Sequence, residues 1–422
     1  MAKKNIWIMN HYATNSFFNE AGRHYWFAEN LTKNGYNPVI FCADTRHNST
    51  DFIEITKGKY TTQHSNGIPF VFVKTNSYKN NGLDRIKNMV SFYKNIFSVA
   101  KKYSRKHGKP DIILASSVHP LTLVAGIKIA KKFGVKCICE VRDLWPESLV
   151  AYGSLKKTNP LTHFLYLGER WIYQKADEII FTIEGGKDYI IGRGWHKENG
   201  GKINLKKVHH INNGVDLEAF NYNMGNYILN DSDLENQEAF KVVYTGSIRK
   251  VNNVGKIIKV AEMFKEKGIE NIIFLIFGNG PDREKLEKYC SDKQLSSVKF
   301  KGIVNKKKIP YILSKSDLNI IHFQQNDIKR YGASLNKMFE YFASGKPTIS
   351  DCEFGYDLIK KYNAGMVLDN AEVNQLAEGI LEFQKMSPEK YEMYSSNALQ
   401  AAKDYNFQKL TLDLIDVIEN RN

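Results

Sequence analysis

The chain has 422 residues, which exceeds the size at which one hydrophobic core usually stops growing, so we expect two domains of about 200 residues each. Hydrophobic residues make up 42% of the chain and aromatic residues 12%, enough for each domain to bury a core. The formal net charge of +15, from 60 Lys and Arg against 45 Asp and Glu, would attract nucleic acid, anionic lipid or phosphorylated ligands alike, and it does not choose among them.

The N-terminal residues lead directly into a short apolar strand. The apolar run in MAKKNIWIMNHY is too short for the core of a signal peptide, and no later segment has 18 uninterrupted apolar residues. The cysteines are odd in number and lack a metal or disulfide spacing: Cys42, Cys137, Cys139, Cys290 and Cys352. We therefore expect a cytoplasmic chain with neither a transmembrane helix nor a metal site.

The first half of the chain alternates short β-branched and aromatic runs with amphipathic stretches of helical length, a pattern typical of parallel sheets covered by helices. The predicted strands are 5–9, 38–43, 68–73, 111–115, 136–140, 178–183 and 207–211. Predicted helices between them include 20–33, 120–133 and 160–176.

Periodicity is lost over residues 221–239, where Asn, Asp and Gly collect, and we predict the interdomain linker there. The N-terminal domain then spans 1–220 and the C-terminal domain 240–404, with a final helix at 405–422 that could pack back on the first domain. Because the βα rhythm restarts after the linker, we predict two doubly wound α/β domains, with the ligand cleft at the carboxyl ends of the strands and between the domains.

One strand end in the C-terminal domain carries small and basic residues. In YTGSIRKVNN, residues 244–253, Gly246 and Ser247 end a strand, and Arg249 and Lys250 follow before a helix. These residues could bind an anion at the strand end, or they could form a tight turn with solvated bases.

The next strand end carries two glycines. In FGNGP, residues 277–281, Gly278 and Gly280 would allow a close backbone approach just before a helix N-terminus, where phosphate groups often bind. Such turns are common after strands, so this signal is weak by itself.

The third strand end is YGASLNKMFEYFASGKPTIS, residues 331–350, which predicts a short helix with Ser334 as its N-cap and Gly345 just past its end. Lys337 then lies in the first turn, where the helix dipole normally favours an acid by about 0.3–1 kcal/mol. Lys337 and Glu340 could be an ordinary surface pair. Alternatively, Lys337 and the free N–H groups bind a diphosphate, and Glu340 binds a pair of ribose hydroxyls.

The order of these segments resembles the GT-B glycosyltransferases of the GT4 type, a retaining family that uses nucleotide sugars. Within it, the chain is similar to the bacterial O-antigen and capsule group likened to N-acetylfucosamine transferase. The resemblance implies a GT-B fold, with two Rossmann-like doubly wound domains facing an interdomain cleft, and no cofactor. The matching segments are NHYA (10–13), SSVHP (116–120), EVRDLWPES (140–148), NNGVD (212–216), YTGSIRKVNN (244–253), FGNGP (277–281) and GASLNKMFEYFASGKP (332–347).

The resemblance implies that the C-terminal domain binds the nucleotide sugar. The family's E-x7-E pair places its second acid on Glu340, for the ribose, and its first on Gly332, where this chain lacks the acid. The subgroup's GxSPNK loop matches residues 332–337, with leucine where proline is usual. The implied nucleotide-sugar residues are Gly246, Ser247, Asn252, Gly278, Asn279, Gly280, Gly332, Ser334, Leu335, Asn336 and Glu340.

The resemblance also implies the catalytic groups. Arg249 and Lys250 most nearly match the Arg and Lys that neutralise the leaving diphosphate, and Lys337 adds a third cation. His119 matches the histidine near the donor sugar, although a lone histidine at a strand end is more often structural. We see no Asp-x-Asp cluster on a strand end that would hold Mg²⁺ and expect a metal-independent transfer. The resemblance implies a front-face mechanism in which the departing phosphate oxygen accepts the acceptor's proton.

Polar residues of the N-terminal domain flank its predicted strand ends. In the resembling family, acceptors bind at the first βα loop. Arg142 and Asp143 follow the predicted strand 136–140, so they either line the cleft or form a buried salt bridge beside Trp145. The implied acceptor-binding residues are Asn10, His11, Glu20, Arg23, Arg142 and Asp143.

A basic amphipathic stretch covers residues 83–109. Its lysines lie largely off an apolar face made of Ile86, Met89, Val90, Tyr93, Ile96, Phe97 and Ala100. Such a helix usually packs on a sheet. The alternative is an edge that rests on anionic lipid at the inner face of the cell membrane, where a lipid-linked saccharide acceptor would be met.

We therefore expect a glycosyltransferase that moves a sugar from UDP-HexNAc or UDP-deoxyHexNAc to a lipid-linked or glycan acceptor in surface polysaccharide biosynthesis. A nucleotide-sugar epimerase of the same fold is an alternative, although the chain supplies few acids and histidines for it. Charge alone suggests a nucleic-acid-binding protein, but no RRM, KH, helix-turn-helix or zinc pattern accompanies it, so we expect no nucleic-acid partner. An NAD-dependent oxidoreductase is disfavoured because neither half begins with G-x-G-x-x-G after its first strand.

Overall fold

The computed structural model describes residues 3–46, 51–78, 82–117, 119–324 and 326–421. The chain divides into two compact units. Unit 1 comprises Met1–Asn212 and Phe407–Asn422, and unit 2 comprises Asn213–Asn406. Each unit contains a predominantly parallel sheet covered by helices, as the βα alternation predicts.

The strands of unit 1 are mostly apolar runs whose side chains are buried on both faces of the sheet, as expected for parallel strands. They are β1 Asn5–Met9, β2 Asn37–Ala43, β3 Tyr60–Ser65, β4 Ile68–Val73, β5 Ile112–Ser116, β6 Lys136–Val141, β7 Glu178–Phe181 and β8 Val208–His210. Within the described residues, the sheet order is β3-β4-β2-β1-β5-β6-β7-β8, and only the β3–β4 pair is antiparallel.

The hairpin β3–β4 was not predicted. Asn66 and Gly67 join its strands with φ angles of +48° and +82°, the left-handed geometry of a tight hairpin turn. The Asn-Gly pair between two alternating runs is therefore the feature of the sequence that indicates this hairpin. Strand β3 is mostly polar and lies at the edge of the sheet, so hydrophobicity did not reveal it.

The helices of unit 1 before residue 212 cover the sheet. The predicted helix 20–33 is split in two, because Glu20 and Gly22 take φ angles of +48° and +105° that a right-handed helix cannot accommodate. The helices are α1 Thr14–Asn19, α2 Arg23–Lys33, α3 Leu83–His107, α4 Pro120–Phe133, α5 Glu147–Ala151, α6 Pro160–Lys175 and α7 Gly186–Gly192, with 3₁₀ turns at Lys197–Asn199 and Leu205–Lys207.

The buried face of helix α3 is rotated from the predicted one and shares Ile96 and Ala100 with it. Ile86 is 52% exposed, whereas Asn88 is fully buried. The Asn88 amide donates hydrogen bonds to the Thr45 and Thr75 hydroxyls at 3.0 Å each, which turns the helix so that Asn88 points inward. The buried face consists of Asn88, Phe92, Ile96, Val99, Ala100 and Tyr103.

Unit 2 contains a second parallel sheet. Its strands are β9 Phe240–Thr245, β10 Ile272–Phe277, β11 Val298–Gly302, β12 Leu318–Ile321, β13 Thr348–Ser350 and β14 Gly365–Val367, in the order β11-β10-β9-β12-β13-β14. The pairs are parallel throughout the described residues. The helices are α8 Leu217–Asn226, α9 Ser232–Glu235, α10 Gly255–Glu266, α11 Arg283–Asp292, α12 Ile309–Ser314, α13 Asn336–Ala343, α14 Leu358–Tyr362, α15 Val373–Gln384 and α16 Pro388–Asp404, with 3₁₀ turns at Lys250–Asn252, Lys306–Lys308 and Asp327–Tyr331.

The structure places the division between the units before the predicted linker. Residues 221–239 lie inside unit 2 and contribute to helices α8 and α9. The aspartates near this stretch act as helix caps, because Asp216 accepts from the Ala219 N–H at 2.8 Å and Asp231 accepts from the Asp233 N–H at 3.0 Å. Their abundance indicates helix starts here, not a linker.

The last helix, α17 Phe407–Glu419, belongs to unit 1. It packs on α2, where the Phe27 and Phe407 rings meet edge to face with centroids 5.5 Å apart. The Lys136 ammonium also donates to the Val417 carbonyl at 2.9 Å. Among the helices in the described ranges, none has the length and apolarity needed to cross a bilayer.

Each sheet has a point where the strand order reverses, and ligands of doubly wound folds bind outside the carboxyl ends of strands at such points. In unit 1, β1 lies between β2 and β5, so the loops after β1 and β5 are neighbours. In unit 2, β9 lies between β10 and β12, so the loops after these strands are neighbours. These two places hold most of the residues singled out by the sequence.

Candidate functional site

Lys337 lies at the second position of helix α13. The helix begins at Asn336, and its N-cap is Leu335, whose side chain cannot accept a hydrogen bond. The predicted Ser334 cap is therefore wrong. The Ser334 hydroxyl instead accepts from the Asn213 N–H at 3.0 Å, and the Ser334 carbonyl accepts from the Asn213 amide at 2.8 Å.

The Lys337 ammonium is buried and has no hydrogen-bond partner among the described residues. It lies 4.0 Å from the centroid of the Tyr244 ring, a cation–π distance. A Cβ atom at Gly246 would stand 2.8 Å from this nitrogen, so the glycine makes room for the lysine. Burial, with the charge of Arg249 as a second cause, lowers the pKa of Lys337 to about 7. An anionic ligand would supply the missing partner.

Two buried tyrosines hold this arrangement, and the sequence reading missed both. One turn after the lysine, the Tyr341 hydroxyl accepts from the Thr245 N–H at 2.9 Å, which ties α13 to the end of β9. The Tyr244 hydroxyl donates to the Ser247 carbonyl at 2.9 Å. The spacing of Lys337 and Tyr341 by four residues, on one face of the helix, was the signal in the sequence.

The glycines of FGNGP are required by a neighbouring loop. A Cβ atom at Gly278 would lie 1.8 Å from the Gly246 carbonyl, and one at Gly280 would lie 2.1 Å from the Ile248 carbonyl. The Ile248 N–H donates to the Asn279 carbonyl at 2.9 Å, so the loops after β9 and β10 pack backbone to backbone. In the structure, Gly278 and Gly280 allow the backbone of the loop after β9 to approach the loop after β10.

The loop after β9 presents Ser247, Arg249 and Lys250 to solvent. Asn252 is buried beneath them, and its amide donates to the Ser247 carbonyl at 2.6 Å and hydroxyl at 3.1 Å. Arg249 lies close enough to Lys337 for its charge to act on that lysine. Two of the three predicted cations are thus neighbours, and Asn252 holds the shape of the turn.

The two positions of the E-x7-E pair differ in character. Glu340 forms an ion pair with Lys306, a residue that the sequence reading missed. Gly332 has φ +98° and ψ 179°, a backbone conformation that is essentially restricted to glycine, and its N–H donates to the Lys329 carbonyl at 2.9 Å. The absence of an acid at position 332 therefore has a conformational reason.

The strand ends of unit 1 bring two buried histidines together. His11 Nδ1 lies 2.6 Å from His119 Nε2, and His11 Nε2 lies 2.7 Å from the Asn88 amide oxygen. Because Asn88 Oδ1 can only accept, His11 donates through Nε2 and, when neutral, accepts through Nδ1. His119 then donates through Nε2 and leaves its Nδ1 lone pair available.

His119 Nδ1 is buried and has no partner among the described residues. Burial, with a smaller effect from the Arg85 charge, lowers the pKa of His119 to about 3, so the ring is neutral near pH 7. His119 is the N-cap residue of α4, which begins at Pro120. A neutral, fixed imidazole at a strand end can accept a hydrogen bond from a ligand hydroxyl.

Asn10 and Arg23, predicted to bind the acceptor, are buried in a polar network. Arg23 Nε donates to Glu140 at 2.7 Å, and His24 lies 3.1 Å from the same carboxylate. Asn10 donates to the Ser116 hydroxyl at 3.0 Å, which donates to Glu140 at 2.7 Å. Burial alone would raise the pKa of Glu140, but the Arg23 charge and the His24 hydrogen bond hold it below its usual range. Asn10 and Arg23 therefore support the loops from below.

Of the other predicted acceptor residues, His11 is buried against His119 and Asn88 and supports the site from below. Glu20, Arg142 and Asp143 are at least partly exposed. Asp143 is exposed and, with His119 and Trp145, lines a small pocket. The Arg142 N–H donates to the Ser117 hydroxyl at 3.1 Å, and its Nε is buried without a partner among the described residues. Glu20 is half-buried in the turn between α1 and α2.

A charged cluster that the sequence did not reveal lies at the ends of β12 and β13. Asp351 is buried, contacts His322, and accepts from the Lys256 ammonium at 2.6 Å. These residues are far apart in the sequence. The pairing of β12 with β13 brings His322 to Asp351, and the packing of α10 brings Lys256. Over the ranges that the structure describes, no group of three His, Cys, Asp or Glu side chains is arranged to hold a metal ion.

Two family models match the chain in succession. The model of Glycosyltransferase Family 4 matches residues 25–219, and the model of Glycosyl transferases group 1 matches residues 229–401. Together they cover most of both units, and the second includes the β9, β10 and α13 loops described above.

A curated relative shares part of this match. The uncharacterized glycosyltransferase MJ1069 of Methanocaldococcus jannaschii is 24% identical over 255 residues, which are 59% of each chain. The chain thus spans about three fifths of the length of that relative in the comparison.

Solved structures share the whole fold. Alr3699/HepE of Anabaena, in complex with UDP and glucose, superposes with a TM-score of 0.67 at 13% identity, covering 99% of this chain and 100% of that one. WaaG, a glycosyltransferase involved in lipopolysaccharide biosynthesis, gives a TM-score of 0.64 at 14% identity, covering 98% and 99%. Residues 25–219 thus match Glycosyltransferase Family 4 and residues 229–401 match Glycosyl transferases group 1, and the likeness to the solved structures shows that the chain has two Rossmann-like domains of the GT-B type.

Proposed function

We propose that the chain is a retaining glycosyltransferase that takes its sugar from a nucleotide diphosphate sugar. The observation that carries this proposal is the buried Lys337 ammonium, which has no partner among the described residues and lies at the N-terminus of α13 beside Gly246. A buried unpaired charge is costly, so a site of this kind favours a ligand that brings the opposite charge.

The chemistry of the site suits departure of a diphosphate. Breaking the bond between the anomeric carbon and the nucleotide leaves negative charge on the phosphate oxygen, and fixed cations and N–H groups lower the barrier by stabilising it. We assign this role to Lys337 and Arg249, with Lys250 at the edge of the loop. Glu340 would exchange Lys306 for the ribose hydroxyls when the nucleotide enters. We propose that no metal is needed, because these cations can neutralise the leaving group.

UDP is the nucleotide that we propose, because the Anabaena structure with the same fold was solved with UDP bound. A HexNAc or deoxyHexNAc sugar remains our proposal from the resemblance in sequence. From the resemblance, His119 would accept a hydrogen bond from a hydroxyl of the donor sugar, and Glu20, Arg142 and Asp143 would lie toward the acceptor. The buried His11 would hold the His119 ring in place.

We further propose a lipid-linked or glycan acceptor in surface polysaccharide biosynthesis, at the cytoplasmic face of the membrane. The support is the resemblance to the O-antigen and capsule group and the shared fold with WaaG, whose known involvement is in lipopolysaccharide biosynthesis. The net charge of +15 is compatible with an anionic membrane surface.

A thermal-shift panel tests the nucleotide site. We expect UDP to raise the melting temperature of the wild-type chain more than GDP or ADP, because a ligand that binds only the folded state stabilises it. Lys337→Met should abolish most of the shift, while the nucleotide-free variant melts no lower than wild type. Lys390→Met, which removes an exposed lysine, is the matched control and should leave the shift unchanged.

Two results would count against the proposal. One is the absence of a shift with any nucleotide or nucleotide sugar. The other is an undiminished UDP shift in Lys337→Met, which would leave the lysine without a role in binding.

A further inference from the structure

Helix α6 carries its apolar side outward. Leu161, Phe164 and Leu167 are 53%, 69% and 50% exposed and recur every three residues, so they form one stripe. The buried side of the helix consists of Thr162, Tyr166, Glu169, Ile172 and Tyr173, of which four carry a hydroxyl or carboxyl group. A surface helix normally shows the opposite arrangement.

Hydrogen bonds fix the polar side inward. The buried Glu169 carboxylate accepts from the Tyr173 and Tyr189 hydroxyls at 2.7 Å each, and the Tyr166 hydroxyl donates to Glu147 at 2.6 Å. Rotating the helix to hide Leu161 and Leu167 would break the bonds to Tyr189 and Glu147 and would move the buried Ile172 and Tyr173 into solvent. The apolar stripe therefore stays at the surface.

Basic residues border the stripe. Lys156 and Lys157 are exposed just before the helix, and the Thr162 hydroxyl donates to the Lys156 carbonyl at 2.9 Å, which holds the lysines beside the first turn. Residues 148–168 contain no Asp or Glu, although the chain has 45 of them. The stripe and the two lysines together are called the α6 surface below.

We propose that the α6 surface docks on an anionic lipid bilayer, with Leu161, Phe164 and Leu167 entering the interface and Lys156 and Lys157 facing the headgroups. An apolar stripe with a basic border and no acid is complementary to a negatively charged bilayer surface. The proposal deepens the proposed function and rests on it, because it gives that enzyme a place to meet a lipid-linked acceptor.

The α6 surface is a different place from the one that the sequence suggested. The central apolar face of α3 is packed in unit 1, with Phe92, Ile96 and Val99 fully buried. Only the start of that helix exposes apolar side chains, at Leu83 and Ile86. These two residues provide a matched control for the test.

Sedimentation with vesicles tests the proposal. We expect the wild-type chain to bind vesicles of phosphatidylcholine with phosphatidylglycerol more tightly than vesicles of phosphatidylcholine alone. The variant Leu161→Ser/Phe164→Ser/Leu167→Ser should lose affinity by more than about tenfold. Lys156→Ser/Lys157→Ser should lose about fivefold per lysine on the anionic vesicles, since each cation near such a surface contributes about 1 kcal/mol. The control Leu83→Ser/Ile86→Ser should bind as wild type does.

Several results would overturn the proposal. They are no binding of the wild-type chain to anionic vesicles, equal binding by the α6 triple variant, or loss of binding in the α3 control alone. A wild-type dimer that the α6 variant converts to a monomer, without vesicle binding, would show that a second copy covers the surface. The UDP thermal shift is measured on every variant and should be unchanged. Its absence in the wild type would count against the transferase proposal and leave the vesicle result standing.

Discussion

Gly332 shows how one backbone conformation can set the chemistry of a site. The resemblance in sequence implies an acid at this position, yet the structure has φ +98° and ψ 179° there. A side chain in that region costs on the order of 1–3 kcal/mol, because the Cβ atom collides with the neighbouring backbone. An acid at this position would therefore carry that cost, and in the proposed function other groups stabilise the sugar.

We expect Gly332→Glu to lower the free energy of unfolding by about 1–3 kcal/mol and to leave sugar transfer no faster than in the wild type. Urea unfolding measures the first effect, and UDP release with a nucleotide sugar measures the second. Ala333→Glu, at the next position, adds the same side chain to a residue without a positive φ and is the control for charge. A stable and faster Gly332→Glu variant would contradict this account.

At the scale of the element, α13 combines a helix N-terminus with a buried lysine. Burial and the charge of Arg249 lower the pKa of Lys337 from its ordinary 10.5 to about 7, so this amine titrates near neutral pH. The unfolded chain binds more protons than the folded one between pH 7 and 10.5, so this residue makes the nucleotide-free protein more stable as the pH rises through that window. A bound diphosphate reverses the effect, since it favours the charged form.

We expect UDP binding to take up protons above pH 7. Because the anion raises the pKa of Lys337 from about 7, affinity should be nearly constant below pH 7 and fall as the pH rises toward the pKa of the complex. Titration calorimetry in two buffers of different ionisation enthalpy measures the uptake. The residual binding of Lys337→Met should show none of this lysine-dependent uptake, and wild-type binding that is independent of pH from 7 to 9 would contradict the assignment.

At the scale of the whole molecule, the C-terminal helix completes unit 1 although unit 2 precedes it in the chain. Helix α17 buries Phe407, Leu410, Leu414 and Ile418 against the first unit, and its Glu419 accepts from the Tyr36 hydroxyl at 2.9 Å. The core of unit 1 therefore includes residues 407–419, and unit 2 is a continuous segment between the two parts of unit 1.

We expect Leu414→Ala to lower the free energy of unfolding of unit 1 by about 2–5 kcal/mol, because it removes a fully buried side chain from the contact with this unit. Calorimetry should show the loss in one transition, with the UDP-dependent shift retained. Leu412→Ala, at a position that is 52% exposed on the same helix, should have little effect. Equal losses in both variants would contradict the packing described here.

The sequence determined the type and order of the elements. Apolar runs flanked by helical periods predict the parallel sheets, and the glycine at 345, with φ +66°, ends α13 as predicted. The basic and small residues at the strand ends could also be identified, because parallel strands place their carboxyl ends on one edge. Strand β3 was missed, and the helix starts near Asp216 and Asp231 were misread as a linker. Polar residues at a sheet edge or a helix cap resemble loops in a linear pattern.

Only the tertiary structure decided which side chains meet. The partners of Lys337 and His119 are Tyr244, Gly246 and His11, which lie about 90–110 residues away and arrive through strand pairing. Burial, which lowers the pKa of both groups, is a property of the packed surroundings and cannot be read from spacing. The orientation of α6 has the same origin. The hydrogen bonds on its buried side fix its orientation against its hydrophobic pattern, so three large apolar side chains lie on the surface.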